Sequence, residues 1–88
     1  MASLLDPESG ERTQVEPANG VDFTLEEMQG FVGGWIEIVR LSPFHGDKLM
    51  VVDEEGLNKD LSINLVASSM ADRPIVGPAL VVDSSQVR

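Results

Sequence analysis

Between Trp35 and Leu41 the chain reads WIEIVRL, and apolar residues fall on both sides of the two-residue period of a strand. Ile36 and Ile38 share one side with Arg40, while Trp35, Val39 and Leu41 share the other around Glu37. That pattern predicts a strand covered on both faces. Lys48 to Asp53, KLMVVD, repeats the two-faced apolarity, and the intervening Ser42-Pro43-Phe44-His45-Gly46-Asp47 has the content of a loop. The two runs are therefore expected to pair as an antiparallel hairpin, closed at its far end by the turn Glu54-Glu55-Gly56.

Upstream, over Phe23 to Val32, the period lengthens to that of a helix. Thr24 and Glu27 stand at N-cap and N3, so each side chain can bond the other's backbone amide. Phe23 and Met28 occupy the two positions of a hydrophobic staple, giving three local signals for one helix start. Gly33 and Gly34 follow the last apolar residue, and either can take the positive φ that ends a helix, with Gly34 expected to carry the reversal into the strand.

The remaining segments are shorter. Residues 3–17 predict an N-terminal hairpin with its turn at Pro7 to Gly10, the alternative being a mobile acidic arm. Asn64 to Met70 reads as a brief helical turn with Asn64 as N-cap and Leu65, Ala67 and Met70 as its apolar residues. Ile75 to Val82 is a last strand bent at Gly77-Pro78, and 84–88 is a polar tail. Together these give one domain over 1–88 with its core in 23–83. The fold class is α+β: a small, mainly antiparallel sheet in the order β-β-α-β-β-(α)-β, with the main helix on one face. One helix and one helical turn leave much of the second face to be covered. Either the N-terminal hairpin folds over it or a homo-oligomer pairs it.

Charge narrows the function classes. Fifteen acidic against six basic residues give a net charge of −9, which argues against direct binding to a phosphate backbone and favours a basic partner. There is no cysteine for a disulfide or thiolate site, and no apolar run approaches the roughly 18 residues of a membrane span. A cytoplasmic protein without membrane attachment is expected.

No residue pattern specifies catalysis. His45 lies in a Pro/Gly loop with Asp47 alone for company. Asp53-Glu54-Glu55 lacks the alternating ligands of a calcium loop and reads as a solvated turn. Glu26 and Glu27 suit a first helical turn on macrodipole grounds, and nothing brings Glu37 to them. Gly30, Gly33 and Gly34 follow a helix, whereas phosphate-cradling glycines precede one. Ser68 and Ser69 have no base in view. No cofactor, metal or catalytic residue is expected. Gly33, Gly34, Trp35, Gly56 and Asn64, with Thr24 and Glu27, are read as structural.

Longer motifs carry a resemblance. The opening SLLDPESGERTQVE, the runs TLEEMQ, VGGWIE and VVDEEGL, the NKDLSIN segment and IVGPALVV together resemble a family of small domains of unknown function found mainly in bacteriophages and other mobile elements. The SPFHGD loop is lengthened against that pattern. The resemblance implies a folded N-terminal hairpin and a protein that acts on a host by binding or sequestering. It supplies no catalytic residues. The expected function is a non-enzymatic phage protein that engages a host defence or regulatory factor through its acidic surface. The alternative is an oligomeric module for a signalling nucleotide, which would need a basic cluster drawn from Arg40, Lys48 and Arg73, with His45 as a further contact. An enzyme is the least favoured class.

Overall fold

The computed structural model describes residues 2–87. Strands β1 (Ala2–Leu5), β2 (Arg12–Val15), β3 (Ile36–Arg40), β4 (Lys48–Asp53) and β5 (Ala79–Asp83) form one antiparallel sheet in the order β2-β1-β5-β4-β3. Helix α1 (Leu25–Val32) and helix α2 (Leu65–Ala71) complete an α+β fold of the predicted kind.

The start of α1 is built as its sequence requires. Thr24 Oγ1 accepts from the Glu27 amide at 3.2 Å, and Glu27 Oε1 accepts from the Thr24 amide at 2.9 Å. The same carboxylate reaches the Ala18 amide at 2.9 Å, which fixes the loop ahead of the helix. Phe23 and Met28 are both buried in one apolar cluster, as a staple demands. At the other end the left-handed residue is Gly33, with φ 87°, while Gly34 is not left-handed. The reversal thus falls one residue earlier than expected, because the Gly33 amide closes on the Gln29 carbonyl at 2.8 Å.

Each face of the sheet has its own cover. Phe23, Met28 and Val32 of the α1 region pack on Ala2, Val51, Leu80 and Val82. On the opposite face Ala67 of α2, with Val66, Met70 and Ala71 beside it, packs on Leu5, Val39, Met50, Val52, Ala79 and Val81. The second face is therefore covered by a true helix of this chain. The N-terminal hairpin instead extends the sheet in its own plane through Ser3↔Val81 to Leu5↔Ala79. Leu65, expected inside, is 73% exposed, since the α2 stripe runs through Val66, Ala67 and Met70.

Two further expectations change. The strand at 36–40 is an edge strand rather than one covered on both sides: Ile38 is 44% and Trp35 63% exposed, because α1 lies mainly over β4 and β5. The segment read as a polar tail after β5 is tied to the domain as far as Val87. Ser84–Gln86 form a single 3-10 turn, the Gln86 carbonyl accepts from the Phe23 amide at 2.7 Å, and Val87 packs against the α1-face cluster.

Asn64 is the main polar tie inside the fold and is only 1% exposed. Its Oδ1 caps α2 through the Ala67 amide at 3.1 Å, and its Nδ2 donates to the carbonyls of Leu5 at 3.1 Å and Gly77 at 2.9 Å. One side chain thereby joins the end of β1, the approach to β5 and the start of α2. Every hydrogen-bonding direction it needs in the dry interior is met.

Candidate functional site

The antiparallel order sets which turns meet. β1 and β4 both flank β5 in the sheet and run the same way, so the turns that leave them emerge at the same end. One turn carries Asp6, Glu8 and Glu11, the other Glu54, Glu55 and Asp60, and all six are exposed. Between the β1–β2 turn and the 61–62 and 77–78 segments lies a cleft of about 370 Å³. Leu4, Phe31, Leu61 and Pro78 give it apolar walls, with Asp6, Pro7, Glu8 and Thr13 on the hairpin side and Ser62 and Gly77 on the other. Among the described residues, none that lines it is basic.

The carboxylates at this end differ in environment. Asp6 Oδ1 accepts from the amides of Glu8 at 2.9 Å and Ser9 at 3.4 Å. The Glu8 amide bond foremost holds the Asp6 carboxyl below its ordinary range, so it stays ionised. Asp53, read from the sequence as part of a solvated turn, has a side chain only 1% exposed. Burial opposes its ionisation, but the Lys59 hydrogen bond, the Glu55 amide and the Lys59 charge together outweigh it and hold the carboxyl below its ordinary range. Lys59 Nζ lies 2.8 Å from Asp53 Oδ2 and also donates to the Gly33 carbonyl at 3.3 Å. Asp53 is not a solvated turn residue because it ends β4 and is held there by Lys59, six positions on.

The residues singled out as contacts for an anion do not all converge. Arg40 and Lys48 line a second cleft with Leu41, Gly46, Asp47, Leu49 and Ser84 at the other end of the sheet. Lys48 is engaged there by Asp83 at 2.6 Å, and that hydrogen bond lowers the Asp83 carboxyl. Arg73 lies away from both, with its Nη2 3.3 Å from Glu37 Oε2. The cluster of Arg40, Lys48 and Arg73 is therefore not formed within one chain. His45 contacts the Phe44 ring edge-on, with centroids 5.5 Å apart.

The structural assignments find concrete roles. A Cβ at Gly34 would lie 2.5 Å from Lys59 Nζ and 3.3 Å from Asp53 Oδ2, so glycine makes room for that ion pair. A Cβ at Gly56 would lie 2.8 Å from Val76 Cγ2. Trp35 borders a shallow hollow with Gln29, Gly30, Gly34, Glu55 and Lys59. Ser68 Oγ accepts from the Ile75 amide at 2.8 Å and donates to its carbonyl at 3.2 Å, a bond pair that fixes the loop after α2. Among the described residues no group of three or more His, Cys, Asp or Glu could hold a metal ion, and no helix is long and apolar enough to cross a membrane.

The model of DUF3846, a domain of unknown function, matches residues 2–86. The chain belongs to that family. The match takes in β1 at one end and the 3-10 turn after β5 at the other, so the family unit is the whole five-stranded sheet with both of its helices. No curated protein and no solved structure matches the chain.

The acid-rimmed cleft was not legible in the sequence. Its walls come from four separated segments, and only the turn character of Pro7 to Gly10 was visible locally. The fold supplies the rest by bringing Phe31, Leu61 and Pro78 to the hairpin.

Proposed function

We propose that this DUF3846 protein is a non-enzymatic binding module whose partner is a basic protein. The observation that carries the reading is the internal use of its positive charge. Lys48, Lys59 and Arg73 are each engaged by a carboxylate of the same chain, at 2.6, 2.8 and 3.3 Å. The carboxylates of the two co-terminal turns are exposed and face solvent. An outer surface so biased attracts a partner of opposite sign, raising the association rate and rejecting acidic competitors. The mobile-element setting implied by the sequence motifs makes a host protein the partner, engaged by binding or sequestration. The rival, an oligomeric nucleotide-binding module, would have to assemble its basic cluster across subunits, since Arg73 lies apart from Arg40 and Lys48 within one chain.

The test is in-cell cross-linking of the full chain, followed by affinity measurement with the recombinant partner. The expected partner is basic, and its affinity falls steeply as ionic strength rises from about 50 to 300 mM. A partner bound with salt-independent affinity, or a nucleotide retained in native mass spectrometry without any protein partner, overturns the proposal.

A further inference from the structure

We infer that the cleft between the β1–β2 turn and the approach to β5 receives a lysine or arginine side chain flanked by apolar residues, presented on an extended segment of the partner. The inference rests on the proposed function and names its docking point.

Three observations converge on this occupant. The cleft, at about 370 Å³, sits near the lower end of the roughly 300–1,000 Å³ spanned by ligand sites, which suits one or two side chains rather than a large cofactor. Its walls, Leu4, Phe31, Leu61 and Pro78, match the methylene stem of a long basic side chain, which buries its carbons and keeps its charged head at a polar rim. That rim is acidic, with Asp6 and Glu8 both exposed and, among the described residues, no basic one lining the cleft.

The position within the fold strengthens the match. Phe31 stands in the last turn of α1, which has no basic residue of its own, and Lys59, which reaches that helix end, is held by the Gly33 carbonyl and Asp53 and does not line the cleft. Arg12 belongs to the same hairpin, but it pairs with Leu5 and therefore points to the opposite face of the sheet from Leu4 and Thr13. The nearest basic residue of the hairpin is thus kept out of the cleft. An anionic ligand finds no donor charge there, and a purely apolar one would leave two carboxylates at its edge.

The inference is tested with the full chain and a synthetic peptide alternating lysine and leucine, against a counterpart with glutamate in place of lysine. Amide shifts are followed by NMR. The lysine peptide is expected to perturb residues 4–8, Thr13, Phe31 and the 61–62 and 77–78 segments, and the glutamate peptide to leave them unmoved. The double variant Asp6→Asn, Glu8→Gln keeps an oxygen for the amide bonds of the turn, so the hairpin should stay folded. Its affinity for the lysine peptide should fall by about fivefold or more. Glu54→Gln, Glu55→Gln, at the same end but outside the cleft, removes the same charge from the general acidic surface and should weaken binding clearly less. Shifts located elsewhere, or equal losses in both double variants, overturn the cleft as the docking point while leaving a basic partner in place. No binding of the lysine peptide also overturns it, and the salt dependence of the cross-linked partner then decides the broader reading separately.

Discussion

A methyl group at Gly34 would press on Lys59 Nζ at 2.5 Å, whereas one at Gly30 would meet nothing within 4 Å. The lysine end can move aside, but doing so parts it from Asp53 and leaves a buried carboxylate poorly compensated. Gly34→Ala should therefore cost about 1–3 kcal/mol. Gly30→Ala, in an exposed helical position, should stabilise by roughly 0.5–1 kcal/mol. Urea midpoints moving in opposite directions would check both, and equal midpoints would refute the ion-pair account. This contrast shows what single residues disclosed in advance. Thr24, Glu27, Phe23 and Met28 were legible because their partners lie three to five positions away. The need for glycine at position 34 was anticipated for backbone reasons that belong to Gly33, since the true cause, a lysine 25 positions on, leaves no local trace.

Lys59 joins elements as well as charges: it holds the end of β4 through Asp53 and the C-terminus of α1 through the Gly33 carbonyl. Because the folded Asp53 carboxyl is lowered, its contribution is present above the unfolded value of about 3.9 and is lost as pH falls through the folded value. Lys59→Met should lower stability at pH 7 by about 1–3 kcal/mol, a range kept modest because the lysine is partly exposed. In the variant, burial without the lysine raises the Asp53 carboxyl. The gap between the two proteins should then begin to narrow above about 4, as the raised carboxyl of the variant takes up its proton, and close below the lowered wild-type value. A gap independent of pH would mean that Lys59 acts through packing alone. At this scale the pattern along the chain revealed α1, the β3–β4 hairpin and the bend before β5. It missed how α2 turns its stripe, because Leu65 and Val66 are equally apolar and only the sheet decides which is buried.

For the molecule as a whole, covering both faces with helices removes the reason to invoke a partner subunit for that purpose. Val39 is 5% exposed and lies in the cluster beneath α2. Val39→Glu should therefore abolish cooperative folding, because it buries an unpaired charge inside one chain. A folded variant of reduced mass would instead indicate a subunit interface at that face. The hairpin's place in the sheet is what sequence pattern could least convey, since strand order depends on pairings between distant segments. Ser3 pairs with Val81 and Leu5 with Ala79, so β1 has its inner neighbour only once almost the entire domain has been threaded. Such high contact order makes loop closure, rather than helix formation, the step expected to limit the folding rate. Its entropic cost grows only logarithmically with the length enclosed. Lengthening the connections within that closure, the SPFHGD loop among them, should therefore be tolerated with little loss of stability.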